Sequence, residues 1–214
     1  MNVAEMMSLM RTLGIGASYE DDYSKKTALK YLNLANDEIY RETAGLNSDI
    51  LTNDILNSTP GNSLVTLTQT PFLIAEVFVQ GQSNPLTGMS ALAFAKYQFE
   101  HSNFVGNPLI YYKKANTVNF FPIQSTLTYT LSIWYAPERT VLEENTTEAA
   151  IPYPLSYHSV LVDCALYYLF QDESGFRNQQ KENEALRRAT KTKNDLISYF
   201  KSANRQIIST FSNA

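Results

Sequence analysis

Residues 151–170 read IPYPLSYHSVLVDCALYYLF, and the rest of the chain is organised around them. Pro152 and Pro154 hold the approach extended, because a residue that precedes proline is driven out of the helical region. Ser156 then has the chemistry of an N-cap, a hydroxyl able to accept from a free first-turn N–H. Beyond it Val160, Leu161, Val162, Cys164, Ala165, Leu166, Tyr168, Leu169 and Phe170 cover most of a helix circumference. Only Ser159 and Asp163, one turn apart, interrupt them. A helix apolar on most sides lies in the middle of a bundle.

C-terminal to this helix, Gly175 is the expected terminator, and Phe176–Phe211 reads as one long helix, continuous or broken. Its first half is charged, with Glu184 spaced to meet Arg187 and Arg188. Leu186, Ala189, Leu196, Phe200, Ile207 and Phe211 trace an apolar stripe. At 1.5 Å per residue such a helix reaches roughly 50 Å, more than the central helix can cover. Part of its apolar face must pack on other segments or on another chain.

N-terminal to it, two helices and a β region are expected. Val3, Met6, Met7, Met10 and Leu13 recur at three- and four-residue spacing, and Gly14 and Gly16 are placed to end that helix. The acidic loop Glu20-Asp21-Asp22 lacks the further oxygen-ligand spacing of a cation site. A second helix over 24–44 carries the stripe Ala28, Leu32, Ala35 and Ile39, with Asn33, Asn36 and Asp37 away from it and Gly45 as its stop. Leu46–Leu56 is expected to add a further helical turn or two. The turn NSTPGNS (57–63) follows.

From Leu64 the period changes to two. Leu73, Ala75, Val77 and Val79 are expected on one strand face. The stretch 89–102 reads as a helix with Leu92, Ala95 and Phe99 on its core face, although Phe94 and Tyr97 do not fit that stripe. Residues 109–112 and 118–121 flank a hairpin-length connection. Leu127, Tyr129, Leu131, Ile133 and Tyr135 then alternate with polar residues. Trp134 breaks that polar face, which marks an edge or interface residue. Short turns between strands imply an antiparallel sheet. The predicted fold is α+β, a helical bundle with an inserted antiparallel sheet. Residues 1–58 form the helical part, 59–145 the β part and 146–214 a helical hairpin with its tail, all within one domain.

The chain has 214 residues and a formal charge of −4, which argues against a general nucleic-acid binder. Lys181, Arg187, Arg188, Lys191 and Lys193 lack interleaved aromatic residues for base stacking, and read as a solvated face. Glu5 lies within the first apolar helix, so no secretory leader is expected. No uncharged apolar run approaches the roughly 20 residues of a bilayer span. A soluble protein or a part of an assembly built inside a cell is the expectation.

The residues form no recognisable catalytic constellation. His158 and Ser159 are adjacent on one helix and cannot face each other, and Asp163 lies a turn further on. His101 stands apart. Two scattered histidines and one cysteine make no zinc site. Gly14-Ile15-Gly16 follows a helix where a phosphate-binding loop needs a strand. No catalytic, metal or cofactor site is expected, and Asp163 reads as a structural hydrogen bond or ion pair. Cys164, the single cysteine, reads as a buried thiol.

Three stretches carry a family resemblance. KKTALKYLNLANDEIYRETA (25–44) contains an Asn-Leu-Ala run followed by an acidic–isoleucine pair. PLIYYKKANTVNFFPIQSTLTYTLSIWYAPE (108–138) runs through tyrosine, Asn-Thr, Phe-Pro, Thr-Leu and tyrosine. IPYPLSYHSVLVDCALYYLF supplies Ile-Pro, Tyr-His and an apolar helix. In this order and spacing the chain resembles the head-to-tail adaptor (connector ring) proteins of short-tailed bacteriophages. The resemblance implies a non-enzymatic virion subunit at the head–tail junction, assembled in the host cytoplasm. It would form a ring, usually of twelve copies, beneath the portal protein. Its partners would be portal, neighbouring copies, downstream tail proteins and, transiently, passing DNA, with no membrane. The expected portal or subunit interface comprises Leu196, Phe200, Arg205, Ile207, Ile208 and Phe211 on the last helix, with Trp134 in the sheet. A nucleic-acid-binding module and a small enzyme with a rare site around Asp163 or His158 are the alternatives.

Overall fold

The computed structural model describes residues 1–15, 22–172 and 178–211, without the side chains of 15, 22–24 and 204–211. Gly16, Glu20, Asp21 and Gly175 of the sequence expectations lie outside the described residues. The fold is α+β, and the chain divides into two compact units. One joins Met1–Asp49 to Arg139–Ala214, and the other is Ile50–Glu138.

In the helical unit, α1 (Val3–Met10) starts on a capping box. The Asn2 side chain accepts from the Glu5 N–H (2.9 Å) and the Glu5 carboxylate from the Asn2 N–H (3.1 Å), which satisfies two free donors at once. Val3, Met6, Met7 and Met10 are buried as their spacing predicts, whereas Leu13, expected on the same stripe, lies beyond α1 in a π-helical turn and is exposed. Gly14 does not end the helical path. A π-helical turn, Arg11–Ile15, carries the chain on through it, and a Cβ on Gly14 would lie 2.6 Å from Leu169 Cδ2 and 2.9 Å from Leu166 Cδ2. This glycine is a close-approach residue, not a cap.

Helix α2 (Asp22–Thr43) buries Ala28, Leu32, Ala35 and Ile39 completely. The amides that the pattern leaves off this stripe are not idle. Asn33 donates to Leu142 O and accepts from Leu142 N–H, both at 2.9 Å, so its side chain imitates a strand partner. Asn36, buried, donates to Thr140 O and accepts from the Tyr153 hydroxyl. Arg139 Nε meets Asp37 Oδ1 at 2.9 Å. The returning connector is thereby fixed along α2, and Leu142 is driven into the core.

Helix α4 (Ser159–Gln171) occupies the centre, packed against α1, α2 and α5 (Gln179–Phe211). Val160, Leu161, Val162, Cys164, Ala165, Leu166, Leu169 and Phe170 are all buried. Ser156 does not cap it. Leu155–Tyr157 forms a 3-10 turn, and α4 begins three residues later with no side-chain cap. On α5 the inward stripe is Ala185, Ala189, Leu196 and Phe200. Leu186, expected inward, is 41% exposed; the smaller Ala185 takes the close approach instead.

The β unit opens earlier than predicted, because β1 (Thr52–Asn57) replaces the expected helical turns beyond a single 3-10 turn at Ser48–Ile50. Strands β2 (Leu64–Thr66), β3 (Pro71–Val79), β4 (Thr87–Gly88), β5 (Ile110–Lys114), β6 (Thr117–Phe121) and β7 (Thr130–Pro137) follow, with α3 (Ala91–Glu100) between β4 and β5. They form two sheets, not one: β1-β7-β3, wholly antiparallel, and β2-β6-β5-β4. In the second, β4 runs parallel to β5, because the α3 crossover, and not a hairpin, connects them.

Leu131, Ile133, Tyr135, Val77 and Val79 of the first sheet share one core with Val65, Val118 and Phe120 of the second. The inner face of β3 departs from strict alternation. Ile74 opposes Tyr135, yet Glu76 opposes Trp134, so Ala75 is an inserted residue; Phe72 is another. Each bulge shifts the pleat by one position. Ile74 therefore packs on the core, while Leu73 and Ala75 face outward.

Helix α3 is present where expected, with its faces exchanged. Phe94 is buried against Ile110 and Phe121 on the outer side of the second sheet, with Tyr97 and Tyr112 beside it. Leu92 and Phe99, expected inward, are 82% and 84% exposed.

Candidate functional site

The polar groups singled out in the sequence are tied into the helical unit. His158 is buried, with Nδ1 2.9 Å from Met1 O and Nε2 3.0 Å from Tyr153 O. Both ring nitrogens therefore face backbone carbonyls. Asp163 lies 3.5 Å from Arg188 Nε and accepts from the Thr192 hydroxyl at 3.5 Å, so it links α4 to α5. Burial raises its pKa, and Arg188 and Thr192 offset part of that rise.

A turn along, Lys193 donates to Glu38 (2.7 Å) and Glu42 (2.9 Å), and the Tyr168 hydroxyl donates to Glu38 (2.8 Å). Burial acts to lower the lysine pKa, but the two carboxylates outweigh it and the net shift is upward. Tyr168 is pushed up to about 12, by burial first and Glu38 second. Lys193 and Arg188, two of the five basic residues considered for a nucleic-acid face, are thus engaged with carboxylates. Among the described residues no group of three or more histidine, cysteine, aspartate or glutamate side chains is placed to hold a metal ion. No described helix is long and apolar enough to cross a membrane.

Cys164 is buried, and its thiol is pushed up to about 12 by desolvation, with Glu38 the next contribution. Because the thiolate is the reacting species, the folded chain is expected to resist a thiol-reactive dye near neutral pH. Denaturation should release its one thiol at once. Rapid labelling of the native protein would contradict the packing of α4.

The residues expected at an interface separate into three groups. Leu196 and Phe200 lie in the chain's own helical core, so their side chains are not open to a partner. Helix α5 continues through Arg205, Ile207, Ile208 and Phe211, whose side chains lie outside the described set. Trp134 is 40% exposed on the outer face of the β1-β7-β3 sheet. On that face Ile55, Phe78, Thr130 and Ser132, with Gln80 and Gln82, line an open cavity of about 370 Å³. Another apolar surface open among the described residues, missed in the sequence, is the outward side of α3 with Phe104 and Val105 beyond its end, 49% and 68% exposed.

The chain matches the SU10 adaptor protein family over residues 1–206, and it belongs to that family. It is accordingly a bacteriophage structural adaptor, a virion component. No curated protein matches it.

Proposed function

We propose that this chain is the head-to-tail adaptor subunit of a short-tailed phage. Copies assemble as a ring, twelve in number, beneath the portal protein; tail proteins build on its far side, and DNA passes through the channel it encloses. The family match along nearly the whole chain carries this reading. The 33-residue length of α5 against the 13 residues of α4 supports it, since α4 alone cannot cover the longer helix. A ring of identical subunits needs a head-to-tail contact, one face meeting a different face of the next copy.

The last turns of α5, with Arg205, Ile207, Ile208 and Phe211, supply the portal contact. Leu196 and Phe200 act through packing, by anchoring α5 on α4, and Trp134 belongs to a contact between subunits. The chain joins the virion at the head–tail junction after synthesis in the host cytoplasm. Deletion of Arg205–Ala214 is expected to weaken binding to purified portal by about tenfold or more, equivalent to about 1.4 kcal/mol, with helical circular dichroism otherwise retained. Unchanged portal binding by the shortened chain would remove this assignment.

A further inference from the structure

Two apolar surfaces of the β unit are left open among the described residues, and the order of layers within that unit puts them on opposite sides. The cross-strand partners Ile110 and Phe121 face α3, whereas Val118 and Phe120 face the core between the sheets. On the other sheet Leu131, Ile133 and Tyr135 face that same core, so Ser132 and Trp134 face away from it. Ile55 opposes Ser132, and Phe78 opposes it from the other flank; both therefore share the outward face. The layers run α3, second sheet, core, first sheet. Leu92 and Phe99 stand on one outer side and Ile55, Phe78 and Trp134 on the other.

We propose that the open face of α3 in one copy docks on the outer face of the β1-β7-β3 sheet in the next copy. This rests on the ring reading above and names the surface that makes the ring. The observation favouring a second copy over any other occupant is the pairing itself. One unit presents a ridge of large apolar side chains on one side and an apolar-floored cavity on the other. A single foreign partner would call for only one of them, and portal on one face with a tail protein on the other is the competing outcome that the trapping below separates. Opposed, non-identical faces are also what a head-to-tail contact requires, and such contacts close into rings.

The areas agree. Leu92, Phe99, Phe104 and Val105 leave roughly 500 Å² open, taking 150–250 Å² for each large side chain. That matches the largest apolar patch of a typical monomer, which is often a functional surface. With a comparable area from the facing sheet, the contact reaches about 1,000 Å², the threshold for a specific interface. The edges are polar, Lys96 and Gln98 on the helix and Gln80, Gln82 and Thr130 around the cavity, as an apolar contact centre with a wet rim requires.

Disulfide trapping tests this in the full-length chain, because buried Cys164 leaves introduced thiols as the only reactive ones. Ile55→Cys and Phe99→Cys are combined, and the protein is oxidised after incubation with the purified portal complex of its phage. A ladder of covalent multimers is expected from the double variant. A mixture of the two single variants should stop at dimers, and each single variant alone should not link. Separately, Leu92→Glu with Phe99→Glu, both at exposed positions, is expected to leave the fold intact and reduce ring assembly by about tenfold or more. Rings that form normally from the glutamate variant would overturn the proposal. So would Phe99→Cys linking to itself, which is an α3–α3 contact, or to portal. If the unaltered chain forms no ring on portal, the ring reading fails and this inference with it. A ring that forms without either effect refutes this inference alone.

Discussion

Leu166→Ala is expected to destabilise the helical unit by about 2–5 kcal/mol. Leu166 is completely buried on α4, the helix against which α1, α2 and α5 all pack. Its loss removes apolar contact and leaves a cavity that the surrounding helices can fill only in part. Gly14 makes the prediction sharper. A Cβ at this position would come within 2.9 Å of Leu166 Cδ2 and 2.6 Å of Leu169 Cδ2, closer than atoms in a packed core tolerate. Gly14→Val alone should therefore destabilise by about 1–3 kcal/mol through overpacking. In the presence of Leu166→Ala the valine enters the vacated space, and the two losses should sum to less than their separate values. Urea denaturation followed by helical circular dichroism measures all three variants. Strict additivity would mean that residues 14 and 166 do not meet, since only sites in contact couple.

Asp54→Ala should unfold the β unit more easily by about 3 kcal/mol. The Asp54 carboxylate is buried and accepts from the Thr68 N–H (2.8 Å), the Thr68 hydroxyl (3.0 Å) and the Tyr135 hydroxyl (3.1 Å). Alanine takes this acceptor from the Thr68 N–H and leaves the buried Tyr135 hydroxyl with the Thr68 hydroxyl, 3.1 Å away, in place of a carboxylate; a hydrogen bond to a charged group contributes more than a neutral one. Asp54→Asn should recover part of the loss, because the amide keeps one acceptor oxygen. Trp134, the chain's single tryptophan, sits on β7 beside Tyr135, so its fluorescence reports this unit directly. A fluorescence transition unmoved by Asp54→Ala would show that the triad does not hold the sheet.

Much of the element inventory is legible in the chain itself. The all-round apolar run 160–170 and the three- and four-residue spacing of Ala28, Leu32, Ala35 and Ile39 each specify a helix and its buried side. The alternation through Leu131, Ile133 and Tyr135 specifies a strand and its inner face. Where sequence patterns went astray, two local solutions were nearly equal. Helix α3 has apolar side chains on both sides, so periodicity cannot choose between Leu92 with Phe99 and Phe94 with Tyr97. The surface offered by Ile110 and Phe121 makes that choice. In β3 the inserted Phe72 and Ala75 look like any other strand residues, and only pairing with β7 reveals them as bulges.

The surfaces that matter for assembly show the same division. Trp134 is conspicuous in sequence because it interrupts a run of threonine and serine. The ridge on α3 is not, because exposed apolar residues on a helix look the same as buried ones. Asn33 and Asn36 likewise read as solvent-facing until the connector returns to α2 more than a hundred residues later and bonds to them. Composition, periodicity and turn chemistry are properties of neighbours in the chain, and they determined the α+β class, most of the elements and the central helix. The orientation of α3, the division into two sheets and the opposed apolar faces come from contacts between distant segments. Only the tertiary structure decides those, because burial depends on what each face meets.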